Sequence, residues 1–275
     1  MNINHLGGNN MIPLQFGLWH SGVNLSYLRY LTFKTLRYFH PDSKIQLFLG
    51  SEFKKDGHRW GEEKQDFEDA SAIQKDYIDK LKDINVEVIK VDWFSHVAPN
   101  FQSDLFRYWY LKNISGFYLD TDQIILKSFN GLPLDNDFIY SGYEAASCGY
   151  YTPVGVLGSA KNVEIVDFIH ANITKFINPN NYNSAGPFMF REVIKYKQWK
   201  DKIFNAPSNY FYPIPDSYLV ESIYNGTLKL NSESFALHLF LGHPKSQEFN
   251  KKYTEEFAKT SNDTISRFLR ENSII

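Results

Sequence analysis

Short apolar runs recur along the chain up to Ile125, and each has the length and composition of a buried β-strand. Glycine or charged residues follow most of these runs, as Gly50 follows the second one. The four strands predicted in this part of the chain are Ile12–Trp19, Ile45–Leu49, Val86–Val91 and Gly116–Leu119.

Helical spacing of apolar residues fills the stretches between these strands. One pattern runs from Leu28 to Phe39, with Asn24 or Ser26 as its cap and His40-Pro41-Asp42 as its end. Strands that alternate with helices predict an α/β fold, with a mostly parallel sheet flanked by helices. Two further helices are predicted over Ala72–Leu81 and Phe101–Lys112, and a surface loop over Ser51–Asp69.

The second half of the chain is less regular. We predict two strands, then a helix, an Asn- and Pro-rich loop, an apolar segment and an amphipathic helical tail. No linker or repeat separates the halves, so residues 1–275 are predicted to form one domain. We expect its donor-binding half at about 11–125 and its acceptor half at about 126–275. The predicted elements are Phe138–Gly142, Val154–Leu157, Val163–Phe176, Asn178–Pro187, Phe235–Leu241 and the tail from Gln247.

The composition is that of a globular protein, with 43% apolar and 22% charged residues in 275. A net charge of -2 provides no general attraction for a polyanion. Nucleic acid is therefore not a predicted partner, although two local lysine-rich clusters keep that alternative open. The 46 aromatic residues, counted as 23 Phe, 18 Tyr and 5 Trp, fill a core and can also line a ligand cleft.

The location is predicted from cysteine content and from apolar segments. Cys148 is the single cysteine, so no disulfide can form within the chain, as is usual in a reducing compartment. Met1 to Asn10 lacks the basic start and apolar run of a signal peptide. No apolar run reaches the ~20 residues that span a bilayer. We therefore predict a cytoplasmic protein with no transmembrane segment.

Two D-x-D triplets are present, and their contexts differ. Asp135-Asn136-Asp137 lies in a predicted loop, whereas Asp120-Thr121-Asp122 directly follows the apolar run Phe117-Tyr118-Leu119. Two carboxylates at the end of a buried strand repel one another and lose hydration, and a divalent cation relieves both costs. Mg²⁺ or Mn²⁺ suits such oxygen ligands. On the triplet alone, two solvated aspartates at a strand exit remain an equal alternative.

The helix before this strand adds a second pair of charges. Asp104 and Arg107 are three residues apart and share one helix face. They form either a simple surface ion pair or one wall of the same cleft. In the second case Arg107 contacts phosphate or sugar hydroxyls, and Asp104 accepts hydrogen bonds from sugar hydroxyls.

The stretch from Phe101 to Leu126 resembles the signature of glycosyltransferases that contain the DXD sugar-binding region. These include initiating mannosyltransferases, capsular and lipopolysaccharide sugar transferases, and clostridial glucosylating toxins. Their pattern is roughly S-D-x-x-R-x-x-x-L followed by G-G-x-Y-x-D-x-D, and Ser115 replaces its first glycine here. The matching residues are Ser103, Asp104, Arg107, Leu111, Gly116, Tyr118, Asp120 and Asp122.

This resemblance implies a GT-A-like fold and a metal-dependent, retaining transferase that takes sugar from a UDP- or GDP-sugar. Asp120 and Asp122 would hold Mn²⁺ or Mg²⁺, with His238 as third ligand or His243 in its place. Asp104, Arg107, Tyr118, Thr121 and Lys245 would contact the donor. The segment 183–187 would lie near donor sugar and acceptor. Trp19 would stack near the base or, alternatively, belong to the core.

The acceptor is implied by the resemblance to be a glycan or lipid-linked oligosaccharide. Glu144 follows a predicted strand and is a candidate for acceptor contact or base. A protein side chain or a hydroxylated nucleic-acid base is an alternative acceptor. Two other classes of protein are open as well: an Mg²⁺-dependent phosphohydrolase or nucleotidyltransferase, and a glycan-binding protein without activity.

Overall fold

A computed structural model describes residues 11–21, 24–50, 75–145, 149–214 and 220–275. A seven-stranded sheet runs through it in the order β10-β6-β9-β4-β1-β2-β3. Its strands are β1 (Phe16–His20), β2 (Ile45–Leu49), β3 (Glu87–Lys90), β4 (Gly116–Leu119), β6 (Phe138–Ser141), β9 (Val156–Ser159) and β10 (Ile203–Ala206).

The sheet is mixed but mostly parallel. β9 is antiparallel to both of its neighbours, whereas the other pairings within this sheet are parallel. Four strands form two small antiparallel pairs outside it. The predicted α/β class, a mostly parallel sheet flanked by helices, is confirmed. The two small pairs are β5 (Gln123–Ile125) with β11 (Ala236–His238), and β7 (Tyr143–Ala145) with β8 (Gly149–Tyr151).

Eight α-helices are present among the described residues, and none of them is both long and apolar enough to cross a bilayer. Ser26 caps the first helix, as one of the two predicted caps, and accepts a hydrogen bond from the Arg29 N–H. The helices are α1 (Tyr27–Phe39), α2 (Pro99–Asn113), α3 (Glu164–Asn172), α4 (Met189–Val193), α5 (Glu221–Tyr224), α6 (Pro244–Lys252), α7 (Glu255–Thr260) and α8 (Thr264–Glu271).

The predicted helix Ala72–Leu81 is wrong over its described part. Residues 75–77 are not helical, and a 3₁₀-helix spans Ile78–Ile84 instead. The Asp76 carboxylate accepts the Ile78 N–H at 3.0 Å and the Leu25 N–H at 2.9 Å. A side chain that takes backbone donors in this way competes with α-helix formation. The predicted loop Ser51–Asp69 lies outside the described residues, as does Cys148.

Two predictions in the second half need smaller corrections. The helix predicted over Val163–Phe176 is α3 followed by a 3₁₀ turn at Ile173–Phe176. The predicted loop Asn178–Pro187 ends in a wide helical turn at Ser184–Phe188, with a kink at Gly186. The tail is helical as expected, and it divides into α6, α7 and α8 because Tyr253 and Ser261 adopt extended backbone.

His40 ends α1 inside the core. Its Nε2 accepts the Phe129 N–H at 3.2 Å, and its ring lies 4.7 Å from that of Phe16. Burial and, to a smaller extent, the nearby Arg37 together lower the pKa of His40 to about 4. The folded protein therefore holds this imidazole neutral.

We expect His40 to make the protein less stable as the pH falls from 6.5 towards 4. The unfolded chain binds a proton at His40 in this range and the folded chain does not, so its contribution is complete above pH 6.5. The loss at pH 5 relative to pH 7 is about 2 kcal/mol. His40→Gln keeps an acceptor for Phe129, so urea unfolding should show a smaller pH dependence. Equal pH dependence in both proteins would contradict this.

Candidate active site

Asp120, Thr121 and Asp122 form the turn between β4, the middle strand of the large sheet, and β5. Because β11 pairs with β5, His238 lies opposite Gln123, which is the residue after Asp122. One ligand atom from each of Asp120, Asp122 and His238 lies within 4.8 Å of the others. Elsewhere in the described chain, no three His, Cys, Asp or Glu side chains come together in this way. His238, rather than His243, therefore joins the two aspartates.

Asp122 is the most firmly held member of this cluster. Its Oδ1 lies 3.2 Å from His238 Nε2, and its Oδ2 accepts the Leu241 N–H at 2.9 Å. Burial raises the pKa of Asp122, but His238, Arg29 and the Leu241 N–H outweigh burial and bring it well below its usual range. Burial likewise lowers the pKa of His238, and Asp122 raises it above its ordinary value. Protonation of His238 would thus make these two side chains an ion pair.

Asp120 is held from the side of α2. The Tyr118 hydroxyl donates to Asp120 Oδ1 and also lies 3.1 Å from Ser103 Oγ. Arg107 Nη2 lies 3.6 Å from the same carboxylate oxygen, and the guanidinium stacks 4.8 Å from the centre of the Tyr118 ring. Tyr118 therefore supports Asp120 from within the core.

Asp104 and Arg107 form a buried ion pair, not a surface pair. Arg107 Nη2 lies 3.2 Å from Asp104 Oδ1, and both side chains are about 5% exposed. The pKa of Asp104 is raised to about 6, because burial and the nearby Asp120 raise it by more than Arg107 lowers it. The charged wall that the sequence predicted on α2 therefore adjoins the Asp120 carboxylate.

Two glycines allow close backbone approach to these carboxylates. A Cβ on Gly186 would lie 2.7 Å from Asp104 Oδ1, and a Cβ on Gly155 would lie 2.6 Å from Asp120 Oδ2. The predicted Gly-Pro turn thus packs directly on Asp104. Neither glycine has a left-handed backbone, so lack of space is the reason for glycine at both positions.

Thr121, between the aspartates, is anchored to α1. Its hydroxyl accepts from Arg29 Nη1 at 2.7 Å, and its carbonyl accepts from Thr32 Oγ1 at 2.8 Å. One turn further along α1, Thr35 Oγ1 accepts the Ile125 N–H at 3.0 Å. The whole D-x-D turn and β5 are therefore fastened to one helix.

Residues 29–139 match the model of a family described as the glycosyltransferase sugar-binding region containing a DXD motif. The match covers less than half of the chain, but it includes most of α1, all of α2 and β4, and both aspartates. This segment is similar to the sugar-binding region of that glycosyltransferase family. The predicted enzyme class, glycosyltransferase, is thereby confirmed. No curated protein matches the chain in sequence.

Three solved structures are similar to the chain at low sequence identity. The PaToxG glycosyltransferase shows 18% identity and a TM-score of 0.47, covering 95% of this chain and 87% of its own. The apo form of GlyE from Streptococcus pneumoniae TIGR4 shows 14% identity and a TM-score of 0.48, and the match covers 95% of this chain but only 64% of GlyE. The galactosyltransferase LgtC, in complex with donor and acceptor sugar analogs, shows 15% identity and a TM-score of 0.41. The match covers 89% of this chain and 99% of LgtC.

Three of the predicted site residues lie apart from the cluster in their contacts. Trp19 is 4% exposed and packs 5.0 Å from Phe106, as a core residue does. Glu144 is exposed in the β7–β8 pair. Lys245 Nζ lies 2.8 Å from the Glu221 carboxylate at the surface. Their roles in binding donor or acceptor stay predictions.

Several residues beside the sugar-binding region were not found from the sequence. Burial raises the pKa of Tyr182, and Asp104, Asp120 and Asp122 add to this, which places its phenol near all three carboxylates. The Tyr212 ring lies 5.6 Å from that of His238. No local pattern marks either tyrosine, since each reaches the site from an irregular segment.

We expect Arg107→Met to destabilise the fold by about 3 kcal/mol, because it leaves Asp104 and Asp120 without their shared cation. Lys202→Met removes an exposed pair with Glu164 and should have little effect on stability. Adding Asp104→Asn to Arg107→Met should recover part of the loss. Urea unfolding at pH 7 measures all three variants, and equal costs for the two single substitutions would contradict the buried pair.

Proposed function

We propose that this chain is a metal-dependent, retaining glycosyltransferase that moves a sugar from a UDP- or GDP-sugar to an acceptor hydroxyl. The observation that carries the proposal is the meeting of Asp120, Asp122 and His238 within 4.8 Å, beside the buried Asp104–Arg107 pair. Retention of anomeric configuration is proposed on the family resemblance.

The donor set suits a divalent cation. Two carboxylates and one imidazole fit Mn²⁺ and, through the oxygens, Mg²⁺. His238 Nε2 lies 3.2 Å from Asp122 Oδ1, so a protonated His238 would balance the charge of Asp122. Asp120, Asp122 and the neutral imidazole of His238 would hold the cation. Such an ion would act as a Lewis acid that stabilises the charge of the departing diphosphate.

Arg107 and Asp104 are assigned to the donor. Arg107 is fixed by Ser103 Oγ at 2.7 Å, yet its Nη1 is buried with no hydrogen-bond partner among the described residues. That donor is available to a phosphate or sugar oxygen. Asp104 lies against Gly186, where its carboxylate can accept hydrogen bonds from sugar hydroxyls.

The remaining assignments rest on the resemblance and on position in the chain. We propose a glycan or lipid-linked oligosaccharide as acceptor, with Glu144 as its contact or base and Lys245 as a diphosphate contact. We also propose that residues 1–275 act as one cytoplasmic domain. The large sheet supports a single domain, since it contains strands from both the donor half and the acceptor half.

The first experiment is a thermal-shift titration with UDP and GDP, each with and without MnCl₂. We expect one nucleotide to raise the melting temperature by about 5–10 °C at saturation, and only with Mn²⁺. Asp122→Asn should abolish the shift. Asp135→Asn, in the D-x-D triplet outside the cluster, should leave it intact. A shift that needs no metal, or that survives Asp122→Asn, would sink the proposed metal site.

Gly155→Ala tests the position of the Asp120 carboxylate. The added methyl would displace that carboxylate, so we expect Mn²⁺ affinity to fall about 10- to 100-fold, as for other residues that orient a ligand. Gly131→Ala is the matched control, because its Cβ would meet Phe235 at an ordinary 3.4 Å. Electron paramagnetic resonance of free Mn²⁺ measures both, and equal affinities would argue against Asp120 as a ligand.

A further inference from the structure

Arg29 brings a positive charge to the D-x-D turn from the first turn of α1. β1 and β4 are parallel neighbours, so their carboxyl ends lie at the same edge of the sheet, and α1 is the next helix after β1. The start of α1 therefore lies beside Asp120–Asp122. The 2.7 Å hydrogen bond from Arg29 Nη1 to the Thr121 hydroxyl fixes the guanidinium there.

The charge of Arg29 is not neutralised by a direct partner. The other charged groups of the site are paired, Arg107 with Asp104 and Asp120, and His238 with Asp122. Arg29 forms no ion pair within the described ranges, and its Nε is buried without a hydrogen-bond partner there.

The D-x-D turn does not need Arg29 to hold its position. Thr32 already holds the Thr121 carbonyl, and the Leu239 and Leu241 N–H groups hold the carbonyl and carboxylate of Asp122. Only Nη1 is used on Thr121. A half-buried guanidinium with an unsatisfied N–H is costly until an anion meets it, and its planar fork fits phosphate oxygens.

We propose that Arg29 binds the diphosphate group of the nucleotide-sugar and of the nucleoside diphosphate product. This inference rests on the proposed function, and it adds a contact on α1 to those proposed on α2 and α6. Arg29 and the metal site would then meet the diphosphate at the same turn, with Thr121 orienting the guanidinium.

Isothermal titration calorimetry in Mn²⁺ with UDP, GDP, UMP and GMP tests this inference. For whichever diphosphate the wild type binds, Arg29→Met should bind about 10- to 100-fold more weakly. The corresponding monophosphate should lose much less. Arg29→Lys keeps the positive charge but not the planar guanidinium. Its affinity should fall less than that of Arg29→Met, and again more for the diphosphate than for the monophosphate. Arg29→Lys replaces Arg29→Met in this test if the latter does not fold.

Arg267→Met is the matched control, since Arg267, on α8, is also half-buried and its Nη2 donates to the Gly226 carbonyl. It should leave nucleotide binding unchanged. Equal losses for diphosphate and monophosphate, or a parallel loss of Mn²⁺ affinity in Arg29→Met, would show a merely structural role and overturn the inference. A wild type that binds neither UDP nor GDP would instead overturn the proposed function itself.

Discussion

The repulsion between carboxylates crowded at the end of one buried strand determines how the rest of this site is built. Asp104, Asp120 and Asp122 lie near enough that Asp120 raises the pKa of Asp104. Arg107 on α2 pairs with both Asp104 and Asp120, and His238 on β11 lies against Asp122. The central strand can therefore end in acidic residues only because two other elements are packed against it. The cation that we propose would add positive charge beside Asp120 and Asp122.

Sheet topology explains why distant segments meet here. Parallel strands leave their carboxyl ends at one edge, and that edge is where ligands bind in open α/β sheets. β4 supplies the D-x-D turn, and the start of α1 lies alongside it. β5 and β11 add a short antiparallel pair that faces the same turn. The threonines of α1 fasten the turn, so that the position of the aspartates depends on packed secondary structure and not on a free loop.

The sequence alone was sufficient for features that depend on neighbouring residues. The D-x-D turn, the Asp104–Arg107 face and the strand Gly116–Leu119 all follow from local spacing and apolar runs, and the fold class followed from their alternation. Contacts between distant segments did not. Gly155 matters because its backbone touches Asp120, and Arg29 because α1 starts at the right edge; nothing in either local sequence marks them. Ser115 has a left-handed φ of 71°, the conformation that the glycine of the family pattern adopts without strain.

The pairing of β5 with β11 also affects the order in which the site forms during synthesis of the chain. The ladder of three residue pairs between β5 and β11 places His238 opposite Gln123, the residue after Asp122. Most of the second half of the chain lies between these two strands in sequence. A ribosome that has just synthesised the two aspartates has made only part of the ligand set. The growing polypeptide therefore carries an acidic turn without its histidine. The three proposed ligands come together only once β11 has paired with β5.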